Sequence, residues 1–116
     1  RMHKINFSGH WIDGFLSPLV GVSSTMDDAS TLANEIKDLL TDLPCHKDLL
    51  EGAPALVVMP GPSGMAAVLL AIWHGLYGHF PKTIWQVRDP VTGKFGLSVA
   101  TQIDLQVLRN NSRLFR

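Results

Sequence analysis

The fold is decided by residues 55–78, whose sequence is ALVVMPGPSGMAAVLLAIWHGLYG. Residues 55–59 form a short apolar run that predicts a buried strand. A turn rich in glycine and proline follows over residues 60–64, and the apolar segment 65–77 predicts a helix that ends at Gly78. Such a unit directs free backbone N–H groups and the positive end of a helix dipole towards the sheet edge, where an anion binds well. The alternative is a turn that only connects its two elements.

Local patterns predict further elements on both sides of this unit. Residues 4–7 predict a strand that ends in a turn at 8–10, residues 11–17 carry mixed helix and turn signals, and residues 19–23 predict a second strand. The segment Asp-Asp-Ala-Ser at 27–30 supplies N-cap candidates for a helix that Pro44 stops, and residues 46–50 predict one more helical turn. The alternating segments 83–87 and 95–99 predict a β-hairpin, and Asp104 is expected to cap a helix over 105–114.

This order of elements indicates a small three-layer α/β domain of Rossmann-like type, with a mainly parallel sheet and a C-terminal β-hairpin. Residues 2–116 are expected to form one domain, because 116 residues can bury one core but leave no room for a second. Hydrophobic residues make up 46% of the chain and charged residues 17%, which is typical of a globular protein.

Charge and cysteine content exclude several classes of protein. A formal net charge of 0 argues against binding of long nucleic acids, which needs a basic face, although it permits a small nucleotide and favours self-association. The single cysteine, Cys45, excludes a disulfide framework. The longest apolar run, residues 65–73, is too short to span a membrane. We therefore expect a soluble, cytoplasmic protein without membrane contact.

Catalytic and metal-binding motifs are weak in this chain. His74 and His79 are spaced too far apart to share a helix face, so we expect no metal site and no cofactor. Gly61 and Gly64 lack the spacing of a dinucleotide fingerprint, and no P-loop lysine follows them. Ser63 lacks the glycine frame of a hydrolase nucleophile.

Two turns form the best candidate site. If the strands before them are parallel neighbours, both turns lie at one sheet edge, above a single crevice. We expect ligand contacts from Ser8, Gly9, His10, Trp11, Pro60, Gly61, Pro62, Ser63, Gly64 and Tyr77. Of these residues, Trp11 and Tyr77 are candidates to stack on a base, with core packing as the alternative. Trp73 and Trp85, by contrast, are expected in the core. Arg109 and Arg113 form a small cationic face for phosphate or solvent.

Four segments together resemble a known family. They are Asn-Phe-Ser-Gly-His at residues 6–10, Pro-Gly-x-x-Gly-Met-Ala-Ala at 60–67, His-Gly-Leu-Tyr-Gly-His-Phe-Pro at 74–81 and Ile-Asp-Leu-Gln-Val-Leu-Arg at 103–109. The combination resembles the small Csx-type ancillary proteins encoded beside type III CRISPR systems, which serve antiviral defence. The chain departs from that pattern at residues 11–17, where a fuller crossover helix is typical.

The resemblance implies a fold related to CARF domains and a cyclic oligoadenylate ligand, above all cyclic tetra-adenylate. It also implies a homodimer or a higher homo-oligomer in which the ligand bridges subunits. Relatives either cleave the messenger as ring nucleases or bind and sequester it.

Three functions remain open at the level of sequence. Sequestration of the messenger is favoured because nothing marks a catalytic set. A metal-independent ring nuclease is the second, since His10 and His79 are candidate catalytic bases. A protein-interaction module without a small ligand is the third.

Overall fold

The structure is a computed structural model that describes residues 2–19 and 26–116. Two 3-10 turns, Val99–Thr101 and Arg113–Phe115, accompany its strands and helices. In chain order these are β1 (His3–Asn6), α1 (Ala29–Thr41), α2 (His46–Leu50), β2 (Ala55–Val58), α3 (Ser63–Tyr77), β3 (Lys82–Ile84), β4 (Gln86–Arg88), β5 (Phe95–Leu97), β6 (Ile103–Asp104) and α4 (Leu105–Ser112).

The main sheet is mixed and has the strand order β1-β2-β3-β6. Strand β2 is parallel to both β1 and β3, whereas β6 is antiparallel to β3. The described residues therefore form an α/β fold with a mixed sheet and four helices. The first strand and strand 55–58 are parallel neighbours, which is the condition on which the candidate site depended.

Helices α1 and α3 contact each other on one face of this sheet. The connections β1 to β2 and β2 to β3 step in the same direction across the sheet, so right-handed crossovers put their helices on the same side. The main core lies between the sheet and these helices. It includes Ile5, Phe7, Val57 and Trp73, and Trp73 is fully buried as predicted.

Irregular chain and the β4–β5 hairpin cover the second face of the sheet. Its smaller core consists of Leu56, Val58 and Ile84, against which pack Ile12, Phe15 and Leu97. In the described part of the chain this face thus carries a loop and a hairpin where the predicted three-layer arrangement would have crossover helices.

Helix α3 is apolar on nearly every side but lies at the surface. Its buried positions recur every four residues, at Met65, Leu69, Trp73 and Tyr77. The exposed positions carry small residues such as Ala67, Ala71 and Gly75, so little apolar area meets water there. Gly78 ends the helix in the left-handed conformation, with φ of 77°, as its sequence predicted.

The capping predictions for α1 and α4 are also confirmed. The Asp28 carboxylate accepts a hydrogen bond of 3.2 Å from the Thr31 N–H at the start of α1. The Asp104 carboxylate accepts one of 3.1 Å from the Val107 N–H at the start of α4. None of the helices in the described ranges combines the length and apolar character that crossing a bilayer requires.

The predicted hairpin needs a correction at its first strand. Residues 83–87 do not form one strand, because the chain leaves the main sheet after Ile84 and enters the two-stranded β4–β5 sheet at Gln86. The Thr101 hydroxyl accepts a hydrogen bond from the Trp85 N–H and donates one to the Trp85 carbonyl. The backbone can leave the main sheet at Trp85 because the Thr101 side chain forms hydrogen bonds with both polar backbone groups of Trp85.

The N-terminal loop settles one ambiguity. Residues 11–17 form no helix; a turn from Ile12 to Phe15 returns the chain to β1, where Leu16 makes an isolated parallel bridge with Ile5. The predicted strand at 19–23 falls, after Leu19, outside the described residues.

Candidate functional site

The two predicted turns lie side by side. Asn6 at the end of β1 is in register with Val58 at the end of β2, and the Phe7 N–H donates a 2.9 Å hydrogen bond to the Val58 carbonyl. Because the strands are parallel, their carboxyl ends meet at one sheet edge, the usual place for a ligand crevice in α/β sheets.

An open cleft of about 710 Å³ lies at this edge, on the side of the β4–β5 hairpin. Such a volume lies within the range of about 300–1,000 Å³ that is common for small-molecule sites. The lining residues are Ser8, His10, Met59, Pro60, Gly61, Trp85, Gln86 and Phe95. A smaller pocket of about 200 Å³ borders the same turns and is lined by Phe7, Ser8, Gly9, Leu19, Pro60, Gly61, Pro62 and Met65. The structure thus brings together six predicted residues: Ser8, Gly9, His10, Pro60, Gly61 and Pro62.

Asn6 holds the first turn in shape. Its side chain is fully buried, and its carbonyl accepts a 2.8 Å hydrogen bond from the Ser8 N–H. Its amide group donates to the His10 carbonyl and, over 3.1 Å, to the Ser17 hydroxyl. One buried amide therefore ties the end of β1 to the turn and to the following loop, which fixes where Ser8 and His10 lie.

The second turn leads into the uncapped start of α3. Pro62 is its N-cap residue and offers no side-chain hydrogen bond, in contrast to Asp28 and Asp104. Exposed Ser63 and Gly64 begin the helix beside the turn, although neither lines the two pockets. The N–H groups of a first helical turn have no intrahelical partner, so these residues keep donors for an anion.

Tyr77 does not belong to this site. It lies at the far end of α3, about 21 Å from Ser63 at 1.5 Å per residue. It is buried, its ring packs edge-on against Trp73, and its hydroxyl lies 2.8 Å from His46 Nδ1. The prediction of Tyr77 as a stacking residue is wrong, because its spacing of four from Trp73 puts it on the buried helix face.

His79 lies at the opposite edge of the sheet from His10. It follows the end of α3 and borders a small pocket with Pro54 and Lys82, next to the amino ends of β2 and β3. A crossover helix runs antiparallel to its strands, so residues just after it return to the amino edge. The two candidate bases therefore cannot act in one site.

Trp11 directly follows the cleft residue His10 in the chain but lines neither pocket. It is 70% exposed, and its indole N–H donates a 3.1 Å hydrogen bond to Asp13.

Arg109 and Arg113 lie away from the cleft, in the C-terminal region. Helix α4, which carries Arg109, begins at the amino edge of the sheet, where the Gln106 side chain accepts a hydrogen bond from the Phe80 N–H.

Four residues that line the cleft were missed by sequence reasoning: Met59, at the end of the predicted strand 55–59, and Trp85, Gln86 and Phe95, which form the cleft wall. Trp85 was expected in the core but is 44% exposed, and Phe95 is 61% exposed. Their alternating pattern predicted strands and gave no sign that the hairpin would fold over the sheet edge. The Arg88 guanidinium lies 4.7 Å from the centre of the Phe95 ring, a cation–π contact that holds the ring.

The cleft holds few charges. No lysine or arginine is among the residues that line it, and His10 is its one titratable side chain within the described ranges. Across those ranges, no three His, Cys, Asp or Glu side chains are grouped as a metal site requires. An anion would be bound there through N–H and O–H donors and His10.

Comparisons with protein-family models, with curated proteins and with solved structures find no match for this chain.

Proposed function

We propose that this protein binds cyclic oligoadenylate, above all cyclic tetra-adenylate, in the cleft and holds it intact, thereby damping type III CRISPR signalling. The observation that carries the proposal is the meeting of two turns at one cleft. The turns at 7–10 and 60–62 lie far apart in sequence, belong to two of the segments that resemble Csx-type proteins, and border the same opening.

The phosphates of the ring have suitable donors in these turns. The uncapped start of α3 offers backbone N–H groups at the positive end of a helix dipole. On the other side of the opening His10 adds an imidazole and Ser8 a hydroxyl, which in the free protein forms only long hydrogen bonds of 3.3 Å to the backbone of His10 and can turn towards a ligand. Gly61 has no side chain to keep a phosphate away from the backbone.

The bases have an aromatic wall. Trp85 and Phe95 line the cleft and are both partly exposed, which leaves ring faces for a ligand. Base–aromatic stacking contributes about 1–3 kcal/mol per base, so two rings compensate for the scarcity of cations.

The proposal includes self-association. A ring of four nucleotides has two-fold symmetry, and the cleft is open on one side, so two copies can enclose one ring. The parallel strands β1, β2 and β3 with their crossover helices fit the CARF-related, Rossmann-like fold that we propose. A closed dimer and a longer ligand-bridged assembly both satisfy this geometry.

Ring cleavage is the second candidate because His10 lines the cleft. In cleavage the 2′-hydroxyl loses its proton to a general base and attacks the adjacent phosphorus, and the bond to the 5′-oxygen of the next nucleotide breaks as that oxygen takes up a proton. Within the described residues, however, His10 has no carboxylate hydrogen-bonded to its ring, and His79 lies at the other edge. Holding the ring is therefore favoured over cutting it.

A pair of glycine variants tests the proposed site. A Cβ added at Gly61 has no atom within 4 Å, so we expect the fold to tolerate Gly61→Leu. The leucine side chain then occupies space at the cleft. Gly75→Leu on the outer face of α3 is the matched control, since its Cβ also meets open space.

We expect Gly61→Leu to weaken binding of cyclic tetra-adenylate at least about tenfold, which corresponds to about 1.4 kcal/mol. Gly75→Leu is expected to bind as the wild type does. Titration calorimetry of the three proteins measures this. Equal affinities of wild type and Gly61→Leu would remove the ligand from this cleft.

A further inference from the structure

The β4–β5 hairpin turns one face towards the cleft. Gln86 pairs with Leu97, and Arg88 pairs with Phe95, so these four residues share one face of the two-stranded sheet. Leu97 packs against the smaller core with Ile12. The face is thus directed at the body of the protein, and its Gln86 and Phe95 line the opening.

Gln86 carries an amide group without a partner. It is half-buried, and within the described part of the chain its side chain makes no hydrogen bond. Gln106, by contrast, binds the Phe80 N–H over 2.9 Å and Asn110 over 3.2 Å. A glutamine side chain offers two N–H donors and one carbonyl acceptor. Because Gln86 uses none of them among the described residues, all three are available to a ligand in the cleft.

The neighbours of this amide are flat rings. Trp85 precedes it in the chain and Phe95 lies diagonally across the hairpin, and both line the cleft. The backbone of Trp85 is fixed by Thr101 on both its N–H and its carbonyl, and Phe95 is held by Arg88. Arg88 is itself anchored by a 3.4 Å hydrogen bond to the Gly93 carbonyl. The wall is therefore organised before any ligand arrives.

We propose that Trp85, Gln86 and Phe95 form an adenine subsite, in which the aromatic rings stack on the base and Gln86 selects it. The Gln86 carbonyl accepts from the 6-amino group of adenine while its NH₂ donates to N7. A base with an oxygen at position 6 presents two acceptors on that edge and leaves the Gln86 carbonyl facing another acceptor. This inference rests on the proposed function and assigns the specificity of the same cleft.

The test compares two rings that differ at position 6 of the base. The probes are cyclic tetra-adenylate and the matching ring built from inosine, which has an oxygen there. The variants are Gln86→Met, which keeps the length of the side chain without its amide, and Gln86→Leu as a second replacement without donor or acceptor. Gln102→Met, at an exposed glutamine outside the cleft, is the matched control. Thermal unfolding of each variant verifies that it folds.

We expect the wild type and Gln102→Met to prefer the adenine ring by about 5- to 100-fold, the discrimination of one good amide–base pair. Both Gln86 variants are expected to lose most of that ratio. If the wild type binds the adenine ring and the variants keep its preference, the subsite is overturned and the proposed function stands. Equal binding of both rings by the wild type also overturns the subsite. If the wild type binds neither ring, both proposals fail.

Discussion

Replacing Asn6 by aspartate is expected to destabilise the protein by about 3 kcal/mol and to remove ligand binding at the cleft. The two side chains have the same shape, but a carboxylate oxygen would face the His10 carbonyl, an acceptor to which the amide now donates, and the donation to the Ser17 hydroxyl would be lost. Asn6 is fully buried, so the new charge has no water around it. Because the Asn6 amide fixes the turn that carries Ser8 and His10, loss of the amide disrupts one side of the cleft.

The Asn6→Asp defect should depend on pH. In the variant, burial beside acceptors raises the pKa of the new carboxyl group, and its protonated form can donate a hydrogen bond again. The variant therefore recovers part of its stability as the pH falls through that raised pKa, and it loses stability as the pH rises. Chemical unfolding at several pH values measures this, with Asn34→Asp on the exposed side of α1 as the control. An Asn6→Asp protein as stable as Asn34→Asp would contradict the role given to Asn6.

Tyr77 is expected to ionise far above the ordinary range for tyrosine. Burial raises the pKa of Tyr77 from 10.0 to about 12, and the negative charge that Cys45 acquires on ionisation adds to the shift. Burial likewise raises the pKa of the Cys45 thiol, which favours its neutral form. The chain has one tyrosine, so the near-ultraviolet absorbance of tyrosinate reports on Tyr77 alone.

The sign of the stability effect follows from this shift. The folded state holds the phenol proton more tightly than the unfolded chain, so this contribution is present in full below pH 10 and is lost as the pH rises to about 12. We expect folded protein to titrate near pH 12 and urea-unfolded protein near pH 10. Tyr77→Phe should show a smaller loss of stability across that interval. Titration of the folded protein near pH 10 would mean that Tyr77 is exposed and accessible to ligand after all.

The elements that could be predicted are those whose signals are local. The strand–turn–helix unit at 55–78, the Asp28 and Asp104 caps and the Gly78 stop all depend on residues within a few positions of one another. The meeting of the two turns needed one further assumption, parallel pairing of their strands, and that pairing holds.

The failures have physical reasons of two kinds. Tyr77 and His79 could have been placed correctly, since the four-residue spacing from Trp73 marks the buried face and the helix direction assigns His79 to the amino edge. The wall formed by Trp85, Gln86 and Phe95 could not be predicted, because it depends on long-range hydrogen bonds between Thr101 and Trp85 that replace the pairing of Trp85 within the sheet. An alternating pattern gives no information about which sheet a strand joins.

The most direct test of the proposed function follows the fate of the ligand. Excess protein is incubated with cyclic tetra-adenylate in the presence of EDTA, and the complex is observed on a native gel. The protein is then denatured and the released nucleotide is identified by chromatography. We predict a shifted complex that releases the intact ring. Linear products would contradict sequestration and indicate a nuclease acting through His10, and the absence of any shift would contradict cyclic oligoadenylate as the ligand.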